Sequence, residues 1–133
     1  MFQDLINRNK SIGIIGLGYV GLPLAVLFSK KFDVIGFDID DEKIQEYRQG
    51  KDLSGEVGYE NLKKSNIHFT SDPEELKKAS FFVIAVPTPI TPKKLPDFKF
   101  IDSASEVAGK CISKGDIIVY ESTVYPGVTE ERC

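Results

Sequence analysis

The strongest constraint in the sequence is a turn with three glycines, GLGYVG, from Gly16 to Gly21. An apolar run from Ile12 to Ile15 leads directly into this turn, and a segment with helical apolar periodicity follows it. A second short apolar run, Val34 to Phe37, then ends at Asp38. A strand, a glycine turn, a helix, a strand and a terminal acid in this order form the dinucleotide-binding fingerprint in its structural context.

Each glycine of the turn has a mechanical role in binding a dinucleotide. Gly16 permits the tight turn out of the strand, and Gly18 leaves room for a pyrophosphate to contact the backbone. Gly21 lets the following helix lie close to the sheet. The N-terminus of that helix offers unpaired N–H groups and the positive end of the helix dipole to the phosphates. The alternative is a βαβ unit whose glycine turn binds no ligand.

Asp38 adds an inference about the cofactor. It lies 17 residues after Gly21, at the end of the second strand. A carboxylate there can bind the adenosine ribose hydroxyls but repels a 2′-phosphate, so NAD is favoured over NADP. The alternative role for Asp38 is the N-cap of the next helix, which begins near Asp41, and the two roles are compatible.

The remaining chain alternates between strand and helix patterns. Strands are predicted at residues 11–15, 33–38, 67–69, 81–86 and 117–120. Helices are predicted at 19–31 and 41–49, from a cap at Ser71 or Asp72 through Ala79, and around 101–111, with a possible short helix at 59–64. Short connections between such elements imply parallel strands and right-handed crossovers. We therefore expect residues 1–133 to form one α/β domain, a doubly wound Rossmann-type parallel sheet with strand order 3-2-1-4-5.

Apolar periodicity also predicts which side of each helix faces the sheet. The predicted inward faces are Val20, Leu24, Leu27 and Phe28 in the first helix, Ile44 and Tyr47 in the second, and Ile101, Ala104, Ala108 and Cys111 in the last. In a doubly wound sheet, ligands bind outside the carboxyl ends of the strands where the strand order reverses. This rule predicts that the glycine turn, Asp38, Thr88 and Thr123 meet at one crevice.

Composition excludes several other classes of function. The net charge of −3 gives no general electrostatic reason to bind nucleic acid or an anionic membrane. The two cysteines lack metal-ligand spacing, so we expect no metal site and a reducing, cytoplasmic setting. His68, the single histidine, is predicted to be a half-exposed strand residue without a catalytic role, because no partner acid is visible near it.

Three segments together resemble a known enzyme family, the UDP-glucose/GDP-mannose dehydrogenases. They are IGLGYVGLPLA at 15–25, VPTP at 86–89 and ESTVYPG at 121–127, and they occur in the family's order. The string from Tyr120 to Gly127, with Pro96-Asp97-Phe98, resembles the branch that oxidises UDP-N-acetylhexosamines (the GalNAc and GlcNAc 6-dehydrogenases).

The resemblance implies an oxidoreductase that converts the C6 alcohol of a UDP-sugar to a carboxylate for surface polysaccharide synthesis. The reaction reduces two NAD⁺ and passes through a thiohemiacetal on a catalytic cysteine. By resemblance, Tyr19 and Val20 join the three glycines around the pyrophosphate, and Asp38 and Lys43 hold the adenosine ribose. Thr88 borders the dinucleotide. Thr123 has the catalytic role of positioning a water and the nicotinamide.

The resemblance also implies that essential groups lie outside this sequence. By resemblance, the family's catalytic cysteine, glutamate, lysine and asparagine are expected beyond residue 133. Neither Cys111 nor Cys133 is expected to be the nucleophile, because Cys111 falls on a helix core face and Cys133 lacks a glycine-rich surround. We therefore expect an amino-terminal fragment that is inactive alone, while the full-length protein binds the UDP-sugar through a further domain and forms a homo-oligomer. The alternatives are a stand-alone, non-catalytic module that senses NAD/NADH and, less favoured, an NADP reductase or flavoprotein.

Overall fold

The fold is a five-stranded parallel sheet with helices on both faces. The computed structural model describes residues 2–7, 10–51, 57–87, 92–93 and 98–121, without the side chains of Phe2 and Tyr59. The strands are β1 (Ser11–Ile15), β2 (Val34–Phe37), β3 (Ile67–Thr70), β4 (Ala79–Ile84) and β5 (Ile117–Tyr120). Their spatial order is β3-β2-β1-β4-β5, and every pair is parallel. The predicted Rossmann-type topology is confirmed.

The described helices follow the predicted alternation, with shifted ends. They are α1 (Phe2–Ile6), α2 (Gly21–Ser29), α3 (Asp41–Arg48), α4 (Tyr59–Lys64), a 3-10 helix (Pro73–Lys78) and α5 (Lys99–Cys111). Asp72 caps the 3-10 helix, since its carboxylate accepts a hydrogen bond from the Glu74 amide at 3.0 Å. The prediction that this helix reaches Ala79 is wrong, because Ala79 is extended and pairs with Ser11 as the first residue of β4.

Strand register brings the carboxyl ends of the central strands level. Ile15 of β1 pairs with Phe37 of β2 on one side and with Ile84 of β4 on the other. Because all these strands are parallel, the residues that follow them emerge at the same edge of the sheet. The glycine turn, Asp38 and Ala85 are therefore neighbours in space although they are far apart in sequence.

Both faces of the sheet are buried, which explains why β1 and β4 are almost entirely apolar. One core contains Ile12, Ile14, Leu22, Ala25, Ile44 and Tyr47, beneath α2 and α3. The other contains Ile15, Phe37, Phe82, Ile84, Ala104, Ala108 and Cys111, beneath α5. The predicted inward faces of α3 and α5 are confirmed, since every residue named for them is buried.

The predicted inward face of α2 is only half right. Leu24 and Phe28 are half-buried and pack against the first core, as predicted. Val20 and Leu27 are 49% and 58% exposed, whereas Leu22 and Ala25 are completely buried. The helix is apolar around most of its circumference, so periodicity could not select the correct side. The close approach of Gly21 to the sheet decides the rotation instead.

His68 has an acidic partner that the sequence did not reveal. Its side chain is 56% exposed, as expected for the outward position in β3, and its Nε2 lies against the Glu75 carboxylate. Hydrogen bonds from Thr70 and then from His68 hold the pKa of the Glu75 carboxyl below its usual range. His68 and Thr70 lie on β3 and Glu75 lies on the 3-10 helix that follows it, so this cluster of three side chains, the Glu75 cluster, joins the two elements.

The part of the chain described by the structure contains no helix that is long and apolar enough to cross a bilayer. Within the same residues, no group of three or more His, Cys, Asp or Glu side chains could hold a metal ion.

Two leucines of α2 test the orientation of that helix. We expect Leu22→Ala to lower the free energy of unfolding by about 2–5 kcal/mol, because it leaves a cavity in the core. We expect Leu27→Ala to cost less than about 1 kcal/mol, because its side chain is largely in solvent. Urea denaturation measures both values, and a larger loss for Leu27→Ala would contradict the observed rotation.

The Glu75 cluster predicts a pH dependence of stability. A carboxyl whose pKa is depressed on folding stabilises the protein above its ordinary value near 4.5, and this contribution is lost as the pH falls through the lower folded value. We expect Glu75→Gln to be less stable than wild type at neutral pH, with the difference shrinking below pH 4.5. Urea denaturation across this range measures it; a difference that persists or grows in acid would contradict the assignment.

Candidate functional site

A cavity of about 740 Å³ opens at the carboxyl edge of the central strands. It is lined by the turn at residues 16–20, residues 37–39 at the end of β2, Lys43 of α3, residues 85–87 at the end of β4, one side of α5, and Glu121. Its volume is typical of sites for organic ligands, which span roughly 300–1,000 Å³. The cavity lies where the sheet order reverses, between β1 and β4.

The three glycines of the turn make different steric demands. Gly16 has a φ of +98° and donates its N–H to the Phe37 carbonyl at 2.9 Å, which continues the pairing of β1 with β2. A Cβ on Gly21 would lie only 1.6 Å from the Gly16 carbonyl oxygen, so no other residue fits there. A Cβ on Gly18 would meet nothing within 4 Å. Gly16 and Gly21 are therefore required by the fold, whereas Gly18 borders open space in the cavity.

The Asp38 carboxylate is buried and organises the backbone around it. Its Oδ2 accepts a hydrogen bond from the Leu17 amide at 3.0 Å, and its Oδ1 accepts one from the Asp40 amide at 3.0 Å. The Lys43 Nζ lies 3.5 Å from Oδ2. A carboxylate has about four acceptor positions, so one remains for a ligand hydroxyl.

The alternative role of Asp38 as a helix cap is wrong. Asp40 is the N-cap of α3, because its side chain accepts a hydrogen bond from the Lys43 amide at 3.3 Å. Asp38 is thereby left at the cavity wall, next to the glycine turn.

The structure brings together most of the residues predicted for the site. Gly16, Gly18, Tyr19, Val20, Asp38 and Lys43 all line the cavity, and Gly21 begins α2 behind the turn. Thr88 and Thr123 lie outside the described residues. Pro87 and Glu121, which precede them by one and two residues, line the cavity.

Sequence reasoning missed the contribution of α5 to the cavity. Phe100, Ser103 and Val107 line it, as does Ile39 after β2. The spacing of 100, 103 and 107 matches a helix face adjacent to the core face, and this was the signal available in the sequence. Ile39 is 78% exposed and Phe100 is 42% exposed, so they offer apolar walls suited to a flat aromatic ring.

Cys111 lies outside this cavity. Its side chain is buried under α5, and its thiol donates to the Pro73 carbonyl at 3.2 Å. Burial raises the pKa of the thiol, which disfavours the reactive thiolate. The expectation that Cys111 is a small core residue is confirmed by its place in the second core. Cys133 lies outside the described residues.

This arrangement fits a dinucleotide bound across the switch point. The open backbone at Gly18 accommodates a pyrophosphate, the buried Asp38 offers an acceptor for ribose, and the apolar walls suit a nucleobase. A family model described as "UDP-glucose/GDP-mannose dehydrogenase family, NAD binding domain" matches residues 10–133. The chain belongs to this family. NAD is its cofactor, in agreement with the acid at position 38.

Known proteins similar to this dehydrogenase-family chain agree with that assignment. It is 53% identical over 125 residues to Protein CapL of Staphylococcus aureus, covering 94% of this chain and 30% of CapL. It is 50% identical over 127 residues to a UDP-N-acetyl-D-glucosamine 6-dehydrogenase of Pseudomonas aeruginosa, covering 95% of this chain and 30% of that enzyme.

A solved structure agrees with the fold. The UDP-D-ManNAc dehydrogenase of Pyrococcus horikoshii superposes with a TM-score of 0.85 at 32% identity, covering 90% of this chain and 30% of that one. The chain thus spans about 30% of the length of each of these three proteins.

A substitution at Gly18 tests cofactor binding without disturbing the fold. We expect Gly18→Ala to change the free energy of unfolding by less than about 1 kcal/mol, because its methyl group meets no protein atom. The same methyl group occupies space needed by a pyrophosphate, so we expect NAD⁺ affinity to fall about tenfold or more. Calorimetry and urea denaturation measure the two effects. Gly109→Ala, which also meets no atom within 4 Å but lies on α5, serves as the control.

Unchanged NAD⁺ affinity in folded Gly18→Ala would show that no ligand approaches the turn at this position. Weakened NAD⁺ binding by Gly109→Ala would indicate that added methyl groups disturb the chain in general.

Proposed function

We propose that this chain is the NAD-binding part of a nucleotide-sugar 6-dehydrogenase. The full enzyme would oxidise the C6 alcohol of a UDP-N-acetylhexosamine to the uronic acid, for surface polysaccharide synthesis. Conversion of a primary alcohol to a carboxylate removes four electrons, so two bound NAD⁺ molecules in succession would each accept a hydride. The observation that carries the proposal is the cavity in which the glycine turn and the Asp38 carboxylate meet, within a chain of this family.

The difference in identity between relatives favours a gluco-configured substrate. The chain is 50% identical to a UDP-N-acetyl-D-glucosamine 6-dehydrogenase and 32% identical to a UDP-D-ManNAc dehydrogenase. The two comparisons cover 95% and 90% of this chain, so they concern nearly the same residues. We therefore propose UDP-N-acetylglucosamine as the substrate to test first.

The chain's own residues would bind and orient the cofactor. Gly16, Gly18, Tyr19, Val20 and Gly21 would surround the pyrophosphate, with the backbone of α2 directed at its charge. Asp38 would accept from the adenosine ribose, assisted by Lys43, which lies 3.5 Å from its carboxylate. We propose that Thr88 borders the dinucleotide and that Thr123 positions a water beside the nicotinamide. The location of Pro87 and Glu121 in the cavity wall supports these two roles.

We further propose that residues 1–133 form an incomplete NAD-binding domain of a longer, homo-oligomeric enzyme. Its UDP-sugar would bind mainly through parts of the protein beyond this sequence. We propose a cytoplasmic location for this enzyme, because NAD and UDP-sugars are available together in the cytoplasm. The net charge of −3 supports a small-molecule partner rather than nucleic acid or an anionic membrane.

The proposal is tested with the protein extended through its reading frame to the length of the relatives. We expect UDP-N-acetylglucosamine to drive NADH formation with two NADH per uronic acid, and to be used faster than UDP-N-acetylmannosamine. Absorbance of NADH and mass spectrometry of the sugar measure both. The 133-residue chain alone is expected to bind NAD⁺ in calorimetry and to produce no NADH.

Two results would contradict this proposal. A stop codon directly after Cys133 would favour an NAD/NADH-sensing module, because no further domain would then exist. Production of NADH from a UDP-sugar by the 133-residue chain would show that the catalytic groups lie within it.

A further inference from the structure

Tyr47 contacts the glycine turn from behind the cavity, although it lies 30 residues away in sequence. Its hydroxyl donates to the Leu17 carbonyl oxygen at 2.7 Å. Tyr47 is 3% exposed on α3, its ring lies 5.6 Å from the ring of Phe69, and it does not line the cavity. It therefore acts on the turn from the protein interior.

Leu17 is held at three points. Its N–H donates to the Asp38 carboxylate at 3.0 Å, and its carbonyl accepts from Tyr47. Its side chain is completely buried, with both methyl groups about 3.3 Å from the position that a Cβ on Gly36 would take. The peptide planes before and after Leu17 are thus each fixed by a side chain, the first by Asp38 just after β2 and the second by Tyr47 of α3.

Planarity of the peptide group converts these bonds into the orientation of the turn. In a trans peptide the C=O and the following N–H point in opposite directions. The Asp38 bond to the Leu17 amide therefore turns the Gly16 carbonyl the other way, toward Gly21, where a Cβ would lie 1.6 Å from it. In the same manner, the Tyr47 bond to the Leu17 carbonyl turns the Gly18 N–H away from α3.

We propose that Tyr47 is a positioning residue of the dinucleotide site: by holding the Leu17 carbonyl, it presents the Gly18 N–H to the pyrophosphate. This inference rests on the proposed NAD site. Asp38 faces the ribose and also holds the turn through the Leu17 amide, whereas Tyr47 acts only through the turn. Loss of the Tyr47 hydroxyl should therefore weaken ligands that carry phosphate and spare the contact with ribose.

The experiment compares ligands that differ in their phosphates. Adenosine carries the ribose hydroxyls that Asp38 can accept from but no phosphate, whereas ADP and NAD⁺ carry both groups. We expect Tyr47→Phe in the 133-residue chain to weaken NAD⁺ and ADP about tenfold, the loss of one well-placed hydrogen bond to a charged group. Adenosine affinity should change less than about twofold. Calorimetry and NMR titration measure these affinities.

Tyr120→Phe is the matched control, because it also removes a tyrosine hydroxyl that hydrogen-bonds within the fold. That hydroxyl lies 2.8 Å from Ser105 Oγ, between β5 and α5. We expect this variant to bind NAD⁺, ADP and adenosine as wild type does. If it weakens ADP as strongly as Tyr47→Phe, the positioning role is refuted.

Other outcomes are equally decisive. Equal losses for ADP and adenosine in Tyr47→Phe, or no loss for either, would refute the inference. If Tyr47→Phe does not fold, the amide signal of Gly18 in the wild-type chain decides: it should shift with ADP and not with adenosine, and an unresponsive signal would refute it. Failure of the wild-type chain to bind NAD⁺ would instead refute the NAD site itself.

Discussion

The architecture depends on the contact between Gly16 and Gly21, where the end of β1 meets the start of α2. A Cβ at position 21 would sit 1.6 Å from the Gly16 carbonyl oxygen, well inside any permissible contact. Only glycine lets the helix begin this close to the sheet. The contact sets the rotation of α2, and therefore directs Leu22 and Ala25 into the core while Leu27 remains in solvent.

The same turn is linked to elements far along the chain. Asp38 and Tyr47 hold the amide and the carbonyl of Leu17, so the end of β2 and the interior of α3 control the backbone that faces the cavity. The Asp38 carboxylate anchors the turn through the Leu17 amide, and in the proposed function it also accepts from the ribose. A single buried group would then couple the geometry of the proposed ribose and phosphate sites.

Prediction succeeded where a pattern had one physical solution. A continuous apolar run such as Phe82 to Ile84 is stable only as a strand covered on both faces of the sheet. In α5 the other sides of the helix carry polar residues, so the face containing Ala104 was the clear choice for the core. It was only partly right for α2, where nearly every face is apolar, and it did not reveal Glu75, the partner of His68 on the neighbouring 3-10 helix. The contribution of Phe100 to the cavity was missed because the apolar periodicity of α5 was assigned entirely to its core face.

The sequence by itself determined the order of strands and helices, the parallel topology and the choice of NAD. These follow from local patterns: apolar runs, glycine spacing and an acid at a strand end. Only the tertiary structure decided the rotation of α2, the cap at Asp40 in place of Asp38, and the bond from Tyr47 to the glycine turn. The rotation of α2 depends on its packing against the sheet, and the Tyr47 bond joins residues 30 apart in sequence, so no local pattern encodes them. The cap at Asp40 is local, but Asp38 and Asp40 are equally suitable capping residues by type, and only the backbone geometry selects between them.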